Sequence, residues 1–358
     1  MKQKTLPAIT TMLVLVSPLA AAMDLKLYGV GHLSADRVDN GQDASFYVTS
    51  SSSRLGFAGE HGVNANMTVI FQYETGLDPT AQGSNDGNGG ADSSGQIFTK
   101  GRPSFVGVSG NFGKALIGHM PGLDQWANDY NLFADQVGDL GNFWEASGVP
   151  GRVDNVMYYS TPTINGFDAA LTYVPEEGVD DTDHSFVKGN YSNDNVAGGK
   201  LKLGAAYASI GLGEGGSTLE HEQTVYAFTL GYHMGRFSVG GGYQSETDIA
   251  GVSGNDRDSF SLGGSVKIGL NGTLKAQYAS TSGDATDTDA SLVAIGYDHA
   301  CDEHTTLYVA YARVENDDNV QFSANGKGHG DKVTPALGDS SDAWSFGIVY
   351  KFDVSLMK

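Results

Sequence analysis

Along most of this chain, apolar and polar residues alternate with a period of two. "MTVIFQY" puts Met67, Val69, Phe71 and Tyr73 on one face and Thr68 and Gln72 on the other. "TLKAQYAS" sets Leu274, Ala276 and Tyr278 against Lys275 and Gln277, and "LKLYGVGHL" sets Leu25, Leu27 and Leu33 against Lys26 and His32. Successive side chains of an extended strand point to opposite faces, so this period predicts strands with one apolar face. Sixteen such segments can be read, at roughly 24–37, 45–60, 64–77, 102–110, 113–119, 153–161, 166–175, 184–192, 199–211, 223–234, 236–248, 257–269, 273–283, 288–300, 304–315 and 343–352. The eighth is drawn partly from the need for an even count.

The connections alternate as well. "EHGVN", "SGNFGK", "HMGR" and "LNGT" are tight turns, whereas the intervening loops are long and rich in Asp, Asn, Gly and Ser. A soluble sandwich has no reason to sort its loops by end; an outer-membrane barrel does, with short periplasmic turns and long extracellular loops. The last strand carries Trp344, Phe346, Ile348, Tyr350 and Phe352 at every second position. In lipid every backbone polar group must be paired within the sheet, so the sheet closes on itself and its bulky face turns outward. The ladder then faces lipid and needs no core behind it. The predicted fold is all-β: a sixteen-stranded antiparallel transmembrane β-barrel.

Composition agrees. Gly is frequent at 50 residues, charged residues make up only 18%, and 17 Tyr and 16 Phe suit many short strands. No mature run approaches the ~20 apolar residues of a helical span. Residues 1–22 read differently: Lys2 and Lys4, an apolar stretch around Leu13 to Val16, then Ala20-Ala21-Ala22 before Met23. That order predicts a cleaved signal peptide for the Sec route and one barrel domain over 23–358. Cys301 is alone, so rigidity must come from closure rather than an intramolecular disulfide. Formal net charge is −21, and without Lys2 and Lys4 19 basic residues face 42 acidic ones. Such a chain repels phosphate backbones, which disfavours nucleic acid as a partner.

In order and spacing, several stretches resemble the Gram-negative general diffusion porins of the neisserial and burkholderial type. They are "LYGVGHLSAD", "SRLGFAGEHG", "ANMTVIFQYETG", "SFVGVSGNFGKALIG", "RVDNVMYYSTPTINGF" and the aromatic terminal strand. The resemblance implies sixteen strands, a homotrimer in the outer membrane, a third loop folded into the barrel, and passive diffusion of small hydrophilic solutes and ions. Departures are His119 and Tyr158 where relatives often carry Arg, Asp302-Glu303 in place of a basic pair, and "DVSLMK" beyond Phe352.

The third loop, Pro121 to Gly151, is the longest uninterrupted connection, and long loops in compact domains are usually functional. Trp126, Tyr130, Leu132, Phe133, Phe143 and Trp144 can anchor it, while Asp124, Asp129, Asp135, Asp139 and Glu145 can face water. It contains no Lys or Arg, and acidic constrictions favour cations, so a cation-selective channel is expected. Opposing charge is expected from Arg54, Lys26 and Lys275, inward by alternation, and from Arg102 and Arg152, whose side the pattern leaves open. Two other readings are a substrate-specific channel with a saturable lumen site and a plugged structural or adhesive barrel.

No cofactor or metal is implied. Asp86 and Asn88 resemble the start of an EF-hand loop, but the Glu that would complete it is missing. Weak divalent bridging of acidic loops to lipopolysaccharide remains as a partner reading. No G-x-S-x-G or H-E-x-x-H occurs, and "EHEQ" at 220–223 lacks a second His at ligand spacing, so no enzyme is predicted.

Overall fold

The computed structural model describes residues 23–80, 101–122, 130–144, 149, 151–213, 222–330 and 332–357. The expected leader at 1–22 and the segment holding Asp86 and Asn88 lie outside the described residues.

Seventeen segments form one antiparallel sheet: β1 (Met23–Asp39), β2 (Ala44–Ser50), β3 (Arg54–Asn64), β4 (Met67–Gly76), β5 (Ser104–Gly110), β6 (Gly113–Met120), β7 (Val153–Ser160), β8 (Phe167–Val174), β9 (His184–Val196), β10 (Gly199–Gly211), β11 (Glu222–Met234), β12 (Phe237–Thr247), β13 (Arg257–Ile268), β14 (Gly272–Gly283), β15 (Ala290–Ala300), β16 (Thr305–Asn316) and β17 (Ser341–Met357). β1 pairs with β2 as far as Leu33↔Ser50 and with β3 from Val30↔Arg54. These two segments are therefore one barrel strand, interrupted at Ser51–Ser53. β17 pairs with β16 on one side and β1 on the other, closing a barrel of sixteen strands. Each segment read from the alternation overlaps one of them. The eighth, β9, is ladder-bonded on both sides and runs four residues further than expected, to Val196.

Both described ends, Met23 and Met357, lie at the end of the barrel that carries the short turns. The closing strand continues past Phe352, pairing Tyr28↔Asp353, Leu27↔Val354 and Leu25↔Met357. Residues 353–357 of the departure from the family pattern thus extend the seam. Lys26 pairs with Asp353 there.

The faces are inverted relative to a water-soluble sheet. On β15, Leu292 and Ala294 are buried inside, while Val293 and Ile295 are half exposed outside. On β17, Ala343 and Ser345 face inward, and Trp344, Phe346, Ile348 and Tyr350 are exposed. A continuous exposed apolar surface of this kind fits hydrocarbon and not water. Phe352 lies over Gly29, where a Cβ would fall 2.6 Å from the ring, so glycine and aromatic together form the seam.

Inside, buried apolar side chains form two groups. One is built on β6–β11 with Leu116, Val156, Phe186 and Ala208. The other joins the inner wall of β14–β17 and β1 to the described parts of the loops 121–152 and 317–340, which both enter the lumen.

Candidate functional site

A line of paired inward residues crosses eight strands: Lys202, Gly231, Gly240, Gly263, Gln277, Ala294, Ala312 and Ala343. Six of the eight are Gly or Ala, so this part of the wall is a shelf, and the third loop lies on it. The Tyr130 ring packs on Gly231 and Gly240, Leu132 on Gly263, and Gly138 against Ala294 and Ala312. Gln277 fixes the loop by accepting from the Leu132 N–H at 3.0 Å and donating to the Gly138 carbonyl at 2.6 Å. Phe133, Val137, Leu140 and Phe143 are fully buried there. Each is stabilised by about 1.5–3 kcal/mol relative to exposure.

The eighth loop, 317–340, packs on the third. Phe322 meets Phe143 with ring centroids 5.0 Å apart. The Gly138 N–H donates to Ala324 at 2.8 Å, and the Lys327 N–H donates to Asn142 Oδ1 at 2.9 Å. The aperture is therefore shaped by two loops, of which the sequence pattern singled out one.

Opposite them, three arginines converge. Glu74, at the upper end of β4, is buried; its Oε2 accepts from the Tyr28 hydroxyl at 2.9 Å and lies 3.8 Å from Arg54 Nε. Glu74 Oε1 lies 3.8 Å from Arg102 Nη1. Arg152 donates to the Gly101 carbonyl at 3.3 Å, and Arg54, Glu74 and Asp135 all act on its charge. Asp135 also acts on Arg102, which brings the third loop's carboxylate into the field of the cluster. Guanidinium groups keep their charge in proteins. Among the described residues, three of them face two carboxylates, Glu74 and Asp135, and the balance of these groups is positive.

The other expected residues stand elsewhere. Asp139 does not line a water path: it is buried and accepts from Asp135 N–H at 2.8 Å, Gly141 N–H at 2.7 Å and Asn131 Nδ2 at 2.6 Å. Burial pushes its carboxyl up to about 6, against the opposing effect of those donors. A polar residue in a loop that packs into an apolar shelf must organise the loop's own backbone, and Asp139 does this.

Lys275 lies under the loop. It donates to Gln136 Oε1 at 2.8 Å, pairs with Asp298 at 2.9 Å and sits 4.6 Å from the Phe133 ring centroid. Lys26 is at the seam end with Asp353 and takes no part in the arginine cluster. Asp124, Asp129, Glu145, Trp126 and the Trp144 side chain lie outside the described residues.

The two positions lacking the family's Arg do not make the wall negative. His119 Nδ1 is 2.8 Å from Asp154 Oδ1. Tyr158 lines a recess of about 280 Å³ together with Lys114 and Lys188. The cation preference expected from the loop's composition finds no support in this geometry.

Sequence reasoning missed Glu74, read only as a strand residue, and the whole eighth loop with His329. His329 reaches the break between β2 and β3, where Nδ1 is 3.0 Å from Ser51 Oγ and Nε2 is 3.0 Å from Asp36 Oδ2. This resembles a hydrolase triad in composition only. Ser51, His329 and Asp36 are each no more than 2% exposed, so no solute reaches the hydroxyl.

A closed barrel with an apolar outer belt, two loops narrowing its lumen and a charged aperture is an outer-membrane diffusion channel. The sequence profile of the Gram-negative porins matches residues 10–319, and the chain belongs to that family. It is similar to outer membrane porin protein 32 of Delftia acidovorans, 29% identical over 301 residues, covering 78% of this chain and 79% of the relative. It is also similar to the major outer membrane protein P.IB of Neisseria sicca, 25% identical over 305 residues, covering 70% and 76% respectively. Among solved structures, the anion-selective porin from Comamonas acidovorans superposes with a TM-score of 0.72 at 25% identity, covering 92% of this chain and all of that one. The protein is a porin of the outer membrane.

Proposed function

We propose that this porin passes small hydrophilic solutes by diffusion and prefers anions. The observation that carries the reading is the convergence of Arg54, Arg102 and Arg152 around Glu74, with Asp135 as their counterpart on the third loop. Charges in a narrow aperture with low-dielectric walls act more strongly than charges on open loops. The balance at the aperture therefore outweighs the acidity of the chain as a whole. The likeness to the anion-selective Comamonas porin supports the same sign.

Reversal potentials across a planar bilayer under a KCl gradient test this. Chloride preference is expected, and replacing the three arginines by glutamine should lower or reverse it; potassium preference in the unmodified channel would overturn the reading. A silent bilayer would favour a plugged barrel, and saturable block by one solute would favour a substrate-specific channel.

Residues 1–22 act in this proposal as the export leader, supported by their basic, apolar, small-residue order. The assembly is a homotrimer, supported by family membership and by the outer face of β1 near the seam, where Gly31 has no atom within 4 Å of an added Cβ. Acidic outer loops would meet lipopolysaccharide through divalent cations.

A further inference from the structure

We propose that His329 is a positioning residue of the aperture, a charged imidazolium that ties the Asp135 backbone on the third loop to Asp36 on the barrel wall. The inference deepens the reading above, because it concerns how Asp135 is held opposite the arginines.

The wall has a notch to receive it. At the interruption between β2 and β3, Ser52 adopts a left-handed backbone with φ 52°. The ladder is replaced by local bonds: Ser51 N–H to the His32 carbonyl at 2.9 Å and His32 N–H to Ser53 Oγ at 3.0 Å. The same notch serves the arginine cluster, since Arg54 Nη1 donates to the Ser52 carbonyl at 3.0 Å. The eighth loop enters it as Gly328-His329-Gly330, with Ser52 Oγ donating to the Gly328 carbonyl at 3.3 Å. Both glycines have positive φ, 64° and 61°. A Cβ would fall 2.6 Å from Asp135 Oδ1 at Gly328 and 2.7 Å from Thr49 at Gly330. Only glycine on either side lets the imidazole reach its place.

The partners fix its protonation. His329 Nε2 is 3.0 Å from Asp36 Oδ2, and Nδ1 is 3.0 Å from the Asp135 carbonyl as well as from Ser51 Oγ. A carbonyl only accepts, and so does a carboxylate, so both ring nitrogens must carry hydrogen. Asp36 is itself held by donors, Thr49 Oγ1 at 2.7 Å and Ser34 Oγ at 3.0 Å, as an ionised carboxylate would be. The ionisable groups at the ring are Asp36 and His32 on β1 and Asp135 on the third loop; Tyr308 on β16 and Arg54 on β3 act on His32, and Lys327 and Lys332 share the eighth loop.

Asp135 needs such a hold. Its φ is 60°, a conformation that a non-glycine residue keeps only where its surroundings impose it. Its N–H is taken by Asp139 and its carbonyl by His329. With both backbone groups pinned, the carboxylate is left in the field of Arg102 and Arg152.

The test is a double-replacement cycle read in permeability ratios. Asp135→Asn should shift the chloride-to-potassium ratio in the parent channel. In a His329→Gln background, where the side chain can no longer serve both acceptors as a cation, the same replacement should shift it less, by about twofold or more. Asp36→Asn should have the same effect, and combining it with His329→Gln should add nothing further. Heat-resistant migration on gels reports that each barrel is folded; if His329→Gln does not fold, the Asp36→Asn background carries the cycle. Equal Asp135→Asn shifts with and without the clamp would overturn the proposal. The outcome does not depend on the sign of the parent's selectivity, so a cation-preferring parent would refute the proposed function without deciding this cycle.

Discussion

The ring of Tyr28 crosses Gly56 to reach Glu74. The three residues sit side by side on β1, β3 and β4, paired Tyr28↔Gly56 and Gly56↔Glu74. The hydroxyl donates to Glu74 Oε2 at 2.9 Å because nothing but backbone stands between them. The anionic member of the arginine cluster is thus placed by a residue two strands away along the sheet.

Removing that anion should unbalance the cluster. Glu74→Gln is expected to raise anion preference and to lower stability by about 1.5–3 kcal/mol, the range for a hydrogen bond to a charged group. Gly56→Val should act in the same direction by displacing Tyr28. Reversal potentials and thermal unfolding of the detergent-solubilised protein check both, and unchanged selectivity in Glu74→Gln would show that the cluster lies off the permeation path.

The shelf predicts a size effect without a charge effect. Gly263→Val or Ala294→Leu puts bulk where Leu132 or Gly138 rests, at an overpacking cost of about 1–3 kcal/mol. Unseating the third loop should raise single-channel conductance and its noise. A smaller conductance would mean that the loop stays in place and that the new side chain only obstructs the lumen.

Asp139 should give the channel a pH dependence. Its carboxyl, pushed up to about 6, binds more protons in the seated loop than in an unfolded one between about 4 and 6. Seating is therefore favoured as pH falls through 6, and the charge that costs stability is present above it. Lowering the pH from neutral to about 5 should therefore seat the third loop more firmly and lower the open-channel noise. Asp139→Asn should abolish that step. A titration unchanged by the replacement would assign the dependence to another group.

Truncation after Phe352 removes the pairs that Asp353, Val354 and Met357 make with β1, together with the Lys26–Asp353 contact. The shortened barrel should still insert and conduct, with a lower heat-dissociation temperature on gels. Loss of assembly altogether would mean that the extension is needed for closure itself.

The barrel was legible because alternation is a local property: Leu274, Ala276 and Tyr278 announce an outward face without knowledge of any neighbour. The seat of the third loop was not, because it exists only across strands. Gly231, Gly240 and Gly263 look like three separate weaknesses in three strands, and only the register makes them one surface. The loop's acids were visible, but their directions were not, and burial turned Asp139 from a pore charge into a backbone fastener. The run "TSSSSR" around Ser51 reads as ordinary polar strand; its break becomes evident only once His329 is seen to fill it.

That break also has a consequence for the order of assembly. Ser51 and His329 are 278 positions apart in the chain, and the loop that carries His329 is anchored by β16 and β17. Until those strands are in place, the notch in the first hairpin has no occupant and the Asp135 carbonyl lacks its His329 donor. The His329 contacts can therefore form only once the last strands are in place, so the clasp on Asp135 is a late step in the construction of the barrel.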